Sequence, residues 1–377
     1  MLTMAHDLVF CGTYTHPSRQ AGFEVTPGNP VMGMTGPTGS EGIYVFSRNA
    51  GGGALTLVGH TPAVNPSYLE LDRSGRFLFA ANEVREYGGR ESGAVTSYAI
   101  DHATGALRLL SQVPSGGGNP CHLSMSHDGR FLLVANHEAS NVAVLPLGDN
   151  GVLSAAIDIR SDEAIDHRQP HAHFITADQG GAFVLASDTG TDRVMIYKQS
   201  TETGTLAPND PAWGQTHPGG SPRHLAFSPS GRYLFANGEA DLTLSLFRYD
   251  AVRGSLDSIQ HLRTVPDGID TEGHSTAQMQ VHPNGRHVYV ANRGSDTIAI
   301  FDFDEASERM VFLGTVPTEG RTPRYFAIDP EGRLLYVANQ NSGRIERFTI
   351  DPTSGWLSHS GLVATLPAPT CIRFSVR

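Results

Sequence analysis

Three arginines (Arg223, Arg293, Arg324), two carboxylates (Glu239, Asp188) and five imidazoles (His122, His137, His171, His173, His224) occupy a small set of recurring positions in this chain. A guanidinium is a planar fork that grips a carboxylate or phosphate with two parallel hydrogen bonds. An imidazole or carboxylate in a tuned environment moves a proton near neutrality, and a cation aimed at a carbonyl stabilises the oxyanion formed when a nucleophile adds to it. Around one cavity, this set would clamp an anionic substrate, accept a proton and stabilise an oxyanion.

These residues fall where a phrase repeated along most of the chain departs from its own pattern. The phrase reads NPSYLELDRSGRFLFAANE from Asn65, NPCHLSMSHDGRFLLVANH from Asn119, SPRHLAFSPSGRYLFANGE from Ser221, STAQMQVHPNGRHVYVANR from Ser275 and TPRYFAIDPEGRLLYVANQ from Thr322. A looser copy, HAHFITADQGGAFVLASDT, starts at His171. With Pro66, Pro120, Ala172, Pro222, Thr276 and Pro323 taken as equivalent, the spacings are 54, 52, 50, 54 and 47 residues, a period that marks a repeat architecture.

Each copy holds two short runs with partial period-two alternation, joined by DG, SG, NG or EG, which is the signature of a β-hairpin. A third run follows (VAVLPL, RVMIYKQ, LSLFRYD, TIAIFDF, RIERFTI), then a fourth (ALRLLSQVP, SLDSIQHLRTV, WLSHSGLVATL). Four antiparallel strands per unit describe a propeller blade, and 42 Gly with 23 Pro supply the turns. The C-terminal APTCIRFSVR is only a first strand, with Pro369 in the repeat position, while LVFCGTYT, GIYVFSRN and ALTLVGHTP near the N-terminus read as the missing second, third and fourth. The chain is therefore predicted to be all-β: a seven-bladed β-propeller of four-stranded antiparallel blades, one domain over residues 1–377, its closing blade shared by N- and C-terminal strands. Closure of this kind removes open sheet edges.

In a propeller the first strand of each blade lines the central channel. Its start lies beside the end of the second strand, because antiparallel neighbours reverse direction. Two rings of equivalent positions then face one mouth. The first reads Ser67, Cys121, His173, Arg223, Ala277, Arg324 and Thr370; the second reads Glu83, His137, Thr189, Glu239, Arg293 and Gln340, preceded by Asn82, Asn136, Asp188, Asn292 and Asn339. The turn glycines and the aromatic or leucine residues after them hardly change between copies, whereas these rings change sharply in charge, and function is grafted onto a scaffold at such places. The expected chemical groups are His171, His173, Arg223, Glu239 and Arg293, with His224, Asp188, Arg324, Gln340 and His137 binding substrate. His171 and His173, two apart on an extended segment, both face the channel if the strand is regular. Structural roles stand beside these: Arg223 and Arg324 as bridges between blades, Asp188 as a turn cap satisfied by backbone N–H groups, one of the two histidines as a buried, hydrogen-bonded group.

A formal net charge of −11 argues against sequence-independent binding to nucleic acid or to an anionic membrane surface. No run approaches the roughly 18 to 20 apolar residues that cross a bilayer. The start, MLTMAHDLVFCGTYT, has no basic segment before an apolar core, and Leu8 to Tyr14 is needed as a strand. A soluble cytoplasmic protein, monomeric or weakly dimeric, is expected. Cys11, Cys121 and Cys371 suggest no disulfide framework; Cys11 and Cys371 fall on strands that pair in the closing blade and are expected as buried free thiols. An H-x-H pair near a carboxylate can hold zinc, but three arginines at the same mouth would repel a divalent cation, and no acidic ring suits calcium; neither cofactor nor essential metal is expected. No G-x-S-x-G turn for a serine nucleophile occurs. One stretch breaks the rhythm, HPSRQAGFEVTPGNPVMGMTGPTGSEG from His16 to Gly42, a long loop at about residues 16–42 that reads either as a lid over one face or as a surface excursion.

GTYT at Gly12 to Thr15, GIYVF at Gly42 to Phe46, PHAH at Pro170 to His173, DTGTDRV at Asp188 to Val194, SPRHLAFSPSGRYLF from Ser221, ANRGSDTIAIF from Ala291 and TPRYFAIDPEGRLLYVANQ from Thr322 together resemble the seven-bladed propeller lactonases. That family includes the propeller-type 6-phosphogluconolactonase and the fungal 3-carboxy-cis,cis-muconate lactonizing enzyme. The resemblance covers the whole chain. It implies metal-independent chemistry on a carboxylated or phosphorylated lactone, with a His, two Arg and a Glu at one channel mouth; by motif these are His171 or His173 in PHAH, Arg223 in PRH, Glu239 and Arg293 in NRG. GEAD at Gly238 to Asp241 matches the family's surroundings for that glutamate weakly, and the His16 to Gly42 insertion exceeds its usual short link. Lactone hydrolysis is the expected reaction, with muconate-type cycloisomerisation and a non-catalytic binding platform as the alternatives.

Overall fold

Burial explains why the repeated hairpins assemble as blades. The computed structural model describes residues 7–15, 39–49, 51–165 and 167–375. Their strands form seven four-stranded antiparallel sheets and one two-stranded ribbon. The second strand of a blade is covered on both faces by neighbouring blades, so Phe77–Asn82, Phe131–Asn136, Phe183–Asp188 and Tyr233–Gly238 are buried throughout. That is why these strands read as continuous apolar runs with only partial alternation. The outermost strands, such as Arg309–Pro317 and Leu357–Thr365, border solvent and are only partly buried.

The inner strands are Pro66–Leu71 (blade 1), Pro120–Met125 (blade 2), Ala172–Ala177 (blade 3), Pro222–Phe227 (blade 4), Ser275–Val281 (blade 5), Pro323–Ile328 (blade 6) and Pro369–Phe374 (blade 7). Blade 7 is completed by Asp7–Thr13, Gly42–Arg48 and Leu55–Pro62, so the two ends of the chain close the ring as expected. Arg48 fastens that closure. Fully buried, it bonds Asp7 in its own blade at 2.9 Å and Asp329 and Glu331 of blade 6 at 3.1 and 2.8 Å. Gly53, in the next turn of blade 7, has φ +66°, and a Cβ there would lie 2.3 Å from Leu334 and 2.4 Å from the Tyr336 hydroxyl of blade 6; only glycine lets the blades approach this closely.

The insertion expected at residues 16–42 lies outside the described residues except for Gly39 to Gly42. The three cysteines are buried and free. Cys11 pairs with Ile372 and Gly12 with Cys371, so the two thiols sit on successive rungs whose side chains alternate between faces. Among the described residues no helix is long and apolar enough to cross a membrane.

Candidate active site

The rings predicted at one channel mouth are brought together, and a bulge repeated in every blade does it. Pro66 pairs with Asn82, Pro120 with Asn136, Ala172 with Asp188, Pro222 with Gly238, Thr276 with Asn292 and Pro323 with Asn339. Immediately afterwards each register shifts. Ser67, Cys121, His173, Arg324 and Thr370 are single extra residues inserted into the strand register, while Arg223 with His224 stand opposite Asn237 alone. A bulge of this kind bends the strand and re-aims the extra side chain. The condition set for His171 and His173 both to face the channel, a regular strand, is not met: His173 is the bulged residue of blade 3, and His171 precedes the strand.

One half of the mouth is an arginine pair gathered on Glu239. Arg293 hydrogen-bonds Glu239 Oε1 and the Thr276 carbonyl, the latter at 2.7 Å, and Arg223 Nε lies 3.5 Å from the same carboxylate oxygen. Burial pulls the Glu239 carboxyl upward, but the charges of Arg293 and Arg223 outweigh it and hold the group below the usual carboxylate range. Burial likewise pulls the Arg223 guanidinium down to about 10. Arg223 Nη1 donates to the Ala277 carbonyl at 3.0 Å and to His224 Nε2 at 2.9 Å. With Nε2 accepting, His224 Nδ1 carries the proton and donates to Gln278 Oε1 at 2.5 Å. Both ring nitrogens are thus engaged, and His224 props Arg223 instead of offering itself to a ligand.

The other half is a relay of polar groups from three blades. Arg324 donates to the Tyr14 hydroxyl at 2.6 Å, and Tyr14 donates to Glu83 Oε2 at 2.8 Å. The guanidinium also lies over the Tyr14 ring, 5.1 Å from its centroid, and stands 4.0 Å from Glu83. Burial dominates at Glu83 and pushes its carboxyl above the usual range despite Arg324 and Tyr14.

Imidazoles line the wall between these halves. His137 stacks on His171 at 4.9 Å between centroids and meets His173 edge-on at 5.6 Å. His171 Nδ1 is 3.2 Å from the His137 carbonyl, which can only accept, so Nδ1 carries the proton and Nε2 keeps its lone pair. Burial lowers His137 to about 4 and His173 well below the ordinary histidine value, with neighbouring positive charge adding to the effect at His173. His173 Nδ1 is buried with no hydrogen-bond partner among the described residues.

Two further expected ligand-binding residues have other occupations. Asp188 Oδ1 accepts from the backbone N–H of His171 at 2.7 Å and of Gly190 at 2.9 Å, and Oδ2 accepts from the Thr191 hydroxyl. It is the turn cap, which corrects its placement among groups turned to the mouth. The Gln340 side chain is buried and donates to Asn341 Oδ1 at 3.2 Å. Among the described residues no group of three or more His, Cys, Asp and Glu side chains is arranged to hold a metal ion.

The family model for "Lactonase, 7-bladed beta-propeller" matches residues 10–374. The chain belongs to the seven-bladed β-propeller lactonase family. Among curated members, it is 30% identical to the 6-phosphogluconolactonase of Bacillus subtilis over 287 residues, 74% of this chain and 78% of that protein. It is 33% identical to the 6-phosphogluconolactonase of Pectobacterium carotovorum over 241 residues, 64% of this chain and 70% of the other. Among solved structures, the periplasmic gluconolactonase of Pseudomonas aeruginosa superposes with a TM-score of 0.85 at 31% identity, covering 98% of this chain and 99% of that one.

Two mouth residues of this lactonase fold were missed as site groups in the sequence. Tyr14 follows Thr13, which pairs with Pro369, just as Glu83 follows Asn82, which pairs with Pro66. The second ring therefore has a seventh member in GTYT. Continuing the repeat arithmetic through the closing blade would have found it, and Glu83 was visible in the ring but without the partners that single it out.

Proposed function

We propose that this protein opens a small anionic sugar-acid lactone by adding water to its carbonyl at the channel mouth. The observation that carries the reading is the convergence of Arg223 and Arg293 on Glu239 beside an imidazole of fixed tautomer. The names of the family members, 6-phosphogluconolactonase and gluconolactonase, point to the same class of substrate. Glu239 is the anchor that orients the two guanidiniums; pinned as an anion, it is a poor proton acceptor. The arginines bind the substrate's anionic group and the oxyanion that develops on the carbonyl oxygen. His171 takes the water's proton on Nε2, its ring held by the His137 carbonyl and its backbone by Asp188.

The test is proton release from 6-phosphogluconolactone, gluconolactone, galactarolactone and carboxymuconolactone at neutral pH, with and without chelator, beside Arg223→Ala. Turnover of a sugar-acid lactone that resists chelator and falls ~10²-fold or more in the variant is expected. No turnover of any lactone would sink the proposal.

A further inference from the structure

Opening a lactone needs a proton at the ring oxygen as the acyl C–O bond breaks, and the groups assigned above are committed elsewhere. Glu239 is pinned as an anion between two arginines, the arginines keep their protons, and His171 receives the proton of water. Resting on the lactone-opening reading, we infer that Glu83, presented by Tyr14, is the proton donor to the departing ring oxygen.

The geometry separates the two glutamates of the second ring. Glu239 stands in blade 4 against two guanidiniums, whereas Glu83 stands in blade 1 with a phenol interposed between it and its arginine. Arg324 makes its 2.6 Å hydrogen bond to Tyr14 and comes no nearer than 4.0 Å to Glu83. Because Tyr14 accepts from Arg324, its own proton is directed to Glu83 Oε2. That oxygen is held by Tyr14, and Ser67 also bonds the carboxyl; on this assignment the acid proton is carried by Oε1. Among the described residues, the charged and titratable groups acting on Glu83 include Tyr14 from blade 7, Arg324 from blade 6, Arg223 from blade 4 and Cys121 from blade 2. Burial outweighs the two arginines and keeps the proton on Glu83 to higher pH than an ordinary glutamate. Two carboxyls whose surroundings push their proton affinities apart are the pattern by which one site holds an acid beside a fixed anion.

The step balances. Water adds to the acyl carbon and gives a proton to His171; the acyl C–O bond breaks with its electron pair going to the ring oxygen, which takes the proton of Glu83. The open hydroxy acid leaves, and passage of one proton through solvent from the His171 imidazolium to the Glu83 carboxylate restores both.

The experiment measures kcat and KM against pH for wild type, Glu83→Gln, Glu83→Asp and Tyr14→Phe on whichever lactone the wild type turns over. Glu83→Gln is expected to lose ~10²-fold or more in kcat with KM little changed. Its profile should lack the alkaline decline set in the wild type by ionisation of Glu83, while Glu83→Asp retains that decline. Tyr14→Phe removes a hydrogen bond that favours the carboxylate, so its alkaline limb should move to higher pH; this variant decides the matter if Glu83→Gln does not fold. Wild-type kcat in Glu83→Gln, as expected if His171 itself returns the proton, or an unmoved limb in Tyr14→Phe, would overturn the assignment. Inactivity of the wild type on every lactone sinks the lactone reading itself; an active wild type beside an indifferent Glu83→Gln sinks only the role of Glu83.

Discussion

His171 and His173 are two residues apart but differ in what holds them. His171 has its backbone fixed by Asp188 and its ring by the His137 carbonyl, whereas His173 is the bulged residue, with its Nδ1 unbonded among the described residues. His171→Gln should therefore lower kcat ~10²-fold or more with little change in melting temperature, and His173→Gln should lower it less; equal losses would show that the order of the two roles is wrong. Acid stability is also set at this scale. His137 is lowered by burial to about 4, and His122, His173 and His224 are lowered as well. Each takes up a proton near pH 6.5 when the chain unfolds but resists it when folded. The stability they contribute is complete above pH 6.5 and is lost as pH falls toward the folded values, at about 1.4 kcal/mol per pH unit for each such group. Melting temperature should fall from pH 6.5 toward 4, and His137→Gln should flatten that slope.

The working element is the first turn of the inner strand, where a bulge follows the repeat proline and turns one side chain into the mouth. Pattern reading located these positions, because Arg223, Arg324 and His173 break the repeat's own consensus, but the bulge itself left no trace in the alternation of apolar residues. Asp188 shows the same limit. Its place in the repeat was legible, while its orientation was not, since a carboxylate at the end of a strand either caps its turn or faces the channel depending on which donors come near. Because Asp188 holds the backbone of His171, Asp188→Ala should lower stability by about 1–3 kcal/mol and reduce kcat together, and Asp188→Asn, which keeps an acceptor oxygen, should do less. Thermal melts with kinetics on the same samples check this; a variant with raised KM and unchanged stability would return Asp188 to ligand binding.

At the scale of the whole molecule, the ring is shut by one blade drawn from both ends of the chain, and Arg48 is the charged clasp between it and blade 6. Asp329, fully buried, and Asp7 share that guanidinium with Glu331, whose hydrogen bond from Arg48 holds its carboxyl down to about 2. Arg48→Met leaves a buried carboxylate without its counter-charge and should cost about 3–5 kcal/mol. The loss should appear in chemical denaturation with KM unaltered, since Arg48 does not touch the mouth. Stability equal to wild type would mean that apolar contacts between blades 6 and 7 close the ring unaided.

The repeat, the number of blades, the sharing of the last blade between the two ends and the ring positions at which charge collects were all legible in the order of residues. These follow from period and from turn chemistry, which are local properties of the chain. Which of those positions meet depends on how the blades pack around the channel. Glu239 became a fixed anion because Arg223 of its own blade and Arg293 of the next converge on it, and Glu83 became the more proton-retentive carboxyl because Tyr14 from the far end of the chain stands between it and Arg324. Proton affinity depends on burial and on the charges within a few ångströms, and most of those neighbours stand on other blades.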